Sequence, residues 1–296
     1  MTVVQALIGA KSIQLTIADE EKLPPGVVKD GRIENPAAVI EAFKVLKKRA
    51  KLTAYIASIN IPSHFCAIKE FDVPEGYFDD SNDNLAWEMG QHVNEIASLY
   101  KIKAVEAGEG NVGKRNLAVA SRSVLVEERA RLLTSFGLSP CAVEPDIIAA
   151  FNALSVIFLD FPSENFLIVD ISAPYTSFGL ASKGAFISGG YFRTPAEVIS
   201  GDDGSFPLAR ALTQEFNKFF ALHGFVLGKK GPEMMIACGR YAESFLASKT
   251  GNYMNLQVFD GDPFKSSWVD ASKLKTTIPW ARLIKPFGLA MRSPYD

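Results

Sequence analysis

The chain is poor in the residues that build the commoner kinds of site. Its three cysteines, Cys66, Cys141 and Cys238, form no CxxC pair and no zinc-ligand spacing. They read as reduced core residues of a cytosolic protein, neither bridges nor metal ligands. The three histidines, His64, His92 and His223, are equally scattered, and no HExxH or GxSxG sequence occurs. Neither charge sign is in excess: a net charge of −2 leaves no electrostatic footprint for nucleic acid. Long apolar runs are missing too. The most apolar stretch, residues 147–161, is broken by Asn152, Ser155 and Asp160. It falls short of the about 20 apolar residues that a bilayer span needs. No charged-then-apolar leader opens the chain. The sequence therefore predicts a soluble, cytoplasmic protein that does not insert in a membrane and meets one only through a partner.

What is present is an ordinary globular composition, 48% apolar and 22% charged, over 296 residues, enough for two cores. Residues 6–19 (ALIGAKSIQLTIAD) and 166–184 (FLIVDISAPYTSFGLASKG) share one plan. Each is an apolar strand, a turn of small residues and a returning strand, and the second carries Asp170 where its first strand ends. Two copies of one device predict two related half-domains facing a cleft. A helix is expected after residue 35, with Asn35 as cap, Pro36 at the first helical position and Val39, Phe43 and Leu46 on one face. The basic run Lys44, Lys47, Lys48, Arg49 and Lys51 reads as a solvated helix end matched to the dipole, ahead of a binding patch. Residues 66–141 alternate as strand, helix, strand, strand, helix. In that block one helical stripe runs through Leu85, Met89, Val93, Ile96 and Tyr100, and Ser123 is the expected cap of the last helix.

The loop at residues 108–115 (GEGNVGKR) fits GxGxxG and most of a phosphate-binding P-loop. Both patterns require a helix directly after the loop, because its N-terminal N–H groups bind the phosphates. Residues 116–121 alternate like a strand instead, and Arg115 stands where a P-loop has its hydroxyl residue. A glycine-rich hairpin loop is the better reading. Asp79, Asp80 and Asp83 lack the twelve-residue frame of a calcium loop.

In order along the chain, LPPGVVKDGRIE at 23–34, FDVPE at 71–75, the Phe136-Gly137-Leu138 run, the 166–180 hairpin and FGLAMR at 287–292 resemble the PilM family of type IV pilus assembly proteins. That family is a bacterial branch of the actin-like ATPases, close to FtsA. The resemblance implies an α/β, actin-like (ribonuclease H-like) fold with two related lobes around a cleft. It also implies an inserted α+β subdomain at about 66–141 and a reduced second small subdomain. The expected lobes are 1–160 and 161–296, the last residues packing back on the first lobe.

The departures from the family pattern gather where ATP would bind. Leu7 stands at the family's metal-serving Asp, and leucine cannot ligate a hard cation. Ser172 replaces a Gly, Pro174 removes an N–H, Glu144 stands for a connecting Asp, and only Gly239 survives of a triple-glycine adenosine turn. The resemblance marks Gly9, Lys11, Ser12, Asp170, Thr176 and Gly239 as a vestigial nucleotide cleft, with no catalytic residue and no metal ligand assigned. Lys11 has two readings, an anion contact or a surface turn lysine, and Asp170 also reads as a plain turn residue.

The implied function is a scaffold of a type IV pilus or type II secretion platform, peripheral at the inner membrane, with lost or weakened ATP and Mg²⁺ binding. Its implied partners are the N-terminal tail of a PilN-like membrane protein and other platform proteins. An exposed strand edge along residues 66–71 or 116–121 is the expected tail site. The alternatives are an active actin-like ATPase or sugar-kinase-like phosphotransferase, and a nucleotide-driven filament protein.

Overall fold

The computed structural model describes the chain except residues 10–11, 75, 78–82, 94, 110–111, 159–164, 183, 202–204, 223–230, 248–251, 254–255 and 293–296. Strands β1 (Thr2–Ile8) and β2 (Ile13–Glu20) form the first antiparallel hairpin, Leu7 opposite Gln14. A small hairpin follows, β3 (Val28–Lys29) and β4 (Arg32–Ile33), with Asp30 and Gly31 at its tip both at positive φ. Helix α1 (Pro36–Ala50) starts as expected: Asn35 Oδ1 accepts from the Ala38 N–H at 3.1 Å. Its apolar face buries Val39, Phe43 and Leu46, with Phe43 stacked on Phe136 at 4.0 Å. The basic end is structural in part, since Arg49 pairs with Asp19 at 2.9 Å and Glu21 at 2.7 Å and so ties α1 to the end of β2.

Strand β5 (Ile56–Ile61) then leads into the inserted block. There β6 (Cys66–Val73), β7 (Tyr100–Glu109) and β8 (Lys114–Arg122) make an antiparallel sheet in the order β6-β8-β7. Helix α2 (Asp83–Gly90) packs Leu85 and Met89 on Ala118 and Ala120 of that sheet. The long stripe expected to reach Tyr100 is corrected here. The helix stops at Gly90, Ile96 is exposed, and Tyr100 already begins β7. Glycine loses more backbone entropy than other residues in a helix, and its position at the end outweighs the periodicity beyond it.

Helix α3 (Ser123–Ser135) follows, then β9 (Ser139–Pro145), parallel to β5. Ser123 is not the cap: Arg122 holds that position, without a side-chain bond. Gly137, at φ +73°, makes the left-handed exit.

Helix α4 (Asp146–Phe158) crosses to the second hairpin, β10 (Asn165–Asp170) and β11 (Tyr175–Ser182), continued by β12 (Ala185–Arg193). Then come α5 (Ala196–Ser200), α6 (Ser205–Leu222), β13 (Met234–Cys238), α7 (Ala242–Ala247), β14 (Asn252–Tyr253) and β15 (Leu256–Asp260). The six strands order as β12-β11-β10-β13-β15-β14, with β10, β13 and β15 mutually parallel. One face of this sheet buries Leu208, Leu212, Phe216, Phe219 and Phe220 of α6.

The chain finally returns to its beginning. Strand β16 (Val269–Asp270) pairs with β2, and helix α8 (Trp280–Ala290) lies against α4. The mixed α/β architecture is therefore built as two hairpin-based sheets joined by α4 and α8. The α4–α8 crossing is close because Gly288 lacks a side chain: a Cβ there would lie 1.7 Å from the Ala149 carbonyl oxygen. No rotamer relieves a clash with backbone, so the helices would have to part. We expect Gly288→Ala to cost on the order of 1–3 kcal/mol, read as a lower denaturant midpoint. An unchanged midpoint would contradict this packing.

Candidate functional site

The second hairpin ends its first strand on Asp170, a buried carboxylate with 1% of its surface exposed. Both of its oxygens are engaged. Oδ1 accepts from Ser172 Oγ at 2.7 Å, and Oδ2 takes the Lys285 ammonium at 2.6 Å. Lys285 comes from α8, so the partner of the hairpin carboxylate lies 115 residues away.

A second buried carboxylate, Asp146, opens α4. It accepts from the Ser63 N–H at 2.9 Å and from the Ser63 hydroxyl, which in turn accepts from the Ile147 N–H. A carboxylate in the first turn of a helix suits the dipole. Burial nonetheless pushes the Asp146 pKa up, and Asp170 adds to this, while Lys285 and Ser63 oppose it. Burial pulls the Lys285 pKa down, but Asp170 and Asp146 outweigh it and hold the ammonium above the ordinary lysine value. The ammonium of α8 thus pairs with Asp170 of β10, and Asp146 of α4 adds a second buried negative charge within its field. Cys238 borders the group, and burial, then Asp170, keep its thiol protonated well above the usual range.

Gly239 closes one side of this cluster. Its φ is +94°, and a Cβ would lie 2.1 Å from Asp170 Oδ1. Its N–H donates to the Ala281 carbonyl of α8 at 2.9 Å. Thr176 is fully buried, and its hydroxyl pairs with Thr194 Oγ1 at 3.1 Å, which also donates to the Ser172 carbonyl. The structure therefore brings Asp170 and Gly239 together and turns Thr176 into the packing behind them.

On the first hairpin, Gly9 donates to the Ser12 carbonyl at 2.9 Å, closing the turn on itself. Lys11 lies outside the described residues. Leu7 is 58% exposed on its strand. Among the described residues, no hydrogen bond or ion pair joins Gly9 or Ser12 to Asp170, Thr176 or Gly239.

Lys285, Asp146, Ser63 and Thr194 were not singled out from sequence. Only Lys285 left a signal, as one of two cations, with Arg282, in the otherwise apolar run WARLIKPFGLA. Glu144, which stands where the family pattern has a connecting Asp, accepts from Asn152 at 3.1 Å and faces Arg292 at 3.5 Å. The glycine-rich loop is a hairpin loop: the Val112 and Gly113 N–H groups both point to Asp72. Of the two candidate strand edges, that of β8 is corrected, because β8 is the middle strand with a partner on each side. Strand β6 lies at the sheet's border, facing β12.

Two hollows adjoin these elements. One, about 250 Å³, lies beside the cluster between Ser63, Cys66, Ile68, Ile147, Gly190 and Tyr191. A larger one of about 400 Å³ is apolar and lies between β1, β5, α1 and α3, away from the carboxylates. The buried Arg129 on its wall is already occupied by the carbonyls of Gly31 and Asn60.

The sequence profile of the type IV pilus assembly protein PilM matches residues 1–194. The chain belongs to the PilM family. The structure superposes on PilM in a PilM–PilN type IV pilus biogenesis complex with a TM-score of 0.79 at 18% identity, covering 98% of this chain and 94% of that one. The fold is thus that of PilM, the family expected from the sequence. Weaker likenesses are also found. They include the ethanolamine utilization protein EutJ of Carboxydothermus hydrogenoformans (TM-score 0.43, 14% identity, 99% of this chain and 90% of that one). Another is a Bacteroides thetaiotaomicron protein with an actin-like ATPase fold (0.49, 8%, 98% and 95%). No curated protein matches the sequence.

In this PilM-family chain an aromatic contact joins the two halves beside the cluster. His64 packs on Tyr175 at 4.2 Å and reaches Tyr191 at 5.9 Å, with Nε2 3.0 Å from the Asp30 carbonyl. Burial holds its pKa below 6.5, against the upward pull of the Asp30 carbonyl and of the Asp146 and Asp30 charges. The unfolded chain therefore takes this proton at a higher pH than the folded one. Its contribution to stability is whole above 6.5 and falls as the pH drops from 6.5 towards the lower folded value. In His64→Phe that acid-side fall in melting temperature should flatten, as thermal melts across this window would show. An identical slope in the variant would exclude His64 as its source.

Proposed function

We propose that this chain is a docking protein of a pilus-type inner-membrane platform, binding the cytoplasmic N-terminal tail of a PilN-like protein with lost or weakened use of ATP. The observation that carries the reading is the family match joined to the fold likeness, which extends over nearly the whole chain to a PilM captured with PilN. The tail would add as a strand to the border of β6, the candidate edge that remains once β8 is excluded. The molecule would then be cytoplasmic, and peripheral at the inner membrane through that partner. We take the lobes as 1–160 and 161–296, since the six-stranded sheet falls wholly in the second span and the β5–β9 and β6–β8–β7 sheets in the first.

The residues of the cleft do not fit a magnesium nucleotide. Leu7 offers no oxygen, Asp170 has both oxygens engaged, and the Gly239 N–H is taken by α8. Phosphoryl transfer depends on neutralising charge and on positioning. A site with a metal-serving carboxylate missing and the other held by a lysine supports the docking reading over the ATPase or phosphotransferase alternative.

Titration calorimetry with a synthetic PilN-like tail should give a saturable complex, and no binding by any such tail would remove the reading. Titration with ATP, with and without Mg²⁺, should show no micromolar, metal-dependent binding and no turnover. Turnover that vanished in Asp170→Ala would favour the enzyme.

A further inference from the structure

Two strand edges in the first half of the chain face a hollow instead of each other. Strand β1 is the outer strand of the β1-β2-β16 sheet, and β5 has only β9 beside it. Among the described residues, no backbone hydrogen bond joins β1 to β5. The apolar hollow of about 400 Å³ lies between them, lined by the consecutive residues 1–6 and 56–60. Successive residues of a strand point to opposite faces of its sheet. Here Val3 packs with the α1 cluster, and Val4 with that of α8. A hollow that touches both therefore runs along the strand edges, level with the sheet. Val39 and Phe43 of α1 close it on one face, Pro286 and Leu289 of α8 on the other.

The chemistry at one end of this slot shows what it accepts. There the Gln5 side-chain amide bridges β1 to the approach of β5. Its Oε1 accepts from the Thr53 and Ala54 N–H groups, each at 3.0 Å, and its Nε2 donates to Thr53 Oγ1 at 3.0 Å. An amide thus does for residues 53–54 what a peptide group of an added strand does for an open edge. Farther along the wall, Ser58 Oγ is buried with no hydrogen-bond partner. Leaving such a group unpaired costs about 1–3 kcal/mol. The charged side chains on the wall, Lys47, Arg129 and Arg292, are all basic. They favour a segment that carries acid at its ends over one that carries lysine or arginine.

We propose that this slot is a strand-accepting site, which takes an extended, apolar and acid-flanked peptide segment of a partner protein between β1 and β5. The segment's backbone pairs with both open edges, and its alternate side chains lie against the α1 and α8 faces. One of its groups gives Ser58 a partner. Insertion joins the β1-β2-β16 and β5-β9 strands into one continuous sheet. The proposal goes beyond the docking reading, whose tail is assigned to the border of β6, and does not rest on it.

Residue-resolved hydrogen exchange on the full chain reads the two edges. In the free protein, alternate amides of residues 2–6 and 56–60 should exchange at least about tenfold faster than those of 166–170 in β10, which has a partner on each side. An acetylated, amidated Glu-Val-Thr-Val-Ala-Val-Glu peptide should bind with a Kd of about 10–100 μM and protect these amides. The same peptide with lysine at both ends should bind at least about fivefold more weakly.

Two variants separate the site from a mere gap. Ser58→Val removes the unpaired hydroxyl at nearly constant shape, so the free protein should melt no lower than wild type while the peptide binds about three- to tenfold more weakly. Ala57→Leu fills part of the hollow and should abolish peptide binding. Full protection of residues 2–6 and 56–60 in the free protein, which means that the two edges close on each other, overturns the proposal. So does absence of peptide binding at about 1 mM, an unchanged affinity in Ser58→Val, or displacement of the peptide by palmitate, which makes the hollow a fatty-acid site. The exchange and peptide measurements on wild type need no variant to fold. Binding of a PilN-like tail should be the same in Ser58→Val as in wild type. Failure of the slot peptide therefore leaves tail docking standing, and failure of the tail leaves the slot.

Discussion

A single buried ion pair, Lys285 with Asp170, fixes how the last helix lies against the second hairpin. An ion pair removed from water gains little net energy, since desolvation offsets the attraction. Breaking it is another matter, because the orphaned charge stays buried. Such a pair therefore acts as a registry device: α8 has one position in which Asp170 is satisfied. In that position Gly288 slots against the Ala149 carbonyl, and the Gly239 turn finds its acceptor at Ala281.

The same constraint shapes the chemistry of the cleft. Here the second hairpin has its positive charge supplied from within, and the first hairpin presents an exposed leucine. The Gly9–Ser12 turn closes on itself, and the second turn is braced by Ser172, Thr194 and Thr176. Packing of α4, α8 and the flanking sheets carries the architecture.

Local elements were largely legible in the sequence because they follow from local chemistry. The Asn35 cap, the Gly137 exit, the strand after the glycine-rich loop and the two hairpins all depend on residues a few positions apart. Sequence pattern and structure part where an apolar rhythm outruns its stop signal. The stripe from Leu85 to Tyr100 kept helical spacing, yet the helix ended at Gly90 and the later apolar residues served a strand. At the site, Asp170 and Gly239 were visible because they fall in patterned turns. Asp146 and Ser63 were not, since an acid in a first helical turn and an isolated serine look like ordinary capping residues, and Lys285 shows only as a cation within an apolar run.

The sequence by itself determined the α/β class, the duplicated hairpin and the membership suggested by the ordered motifs. These are properties of residue identity and short spacing. Only the tertiary structure decided that β8 has no open edge, that β16 completes the first sheet and that a lysine from the final helix neutralises a carboxylate 115 positions earlier. Charge pairing inside a protein depends on distance through space and on exclusion of water, and a linear pattern encodes neither.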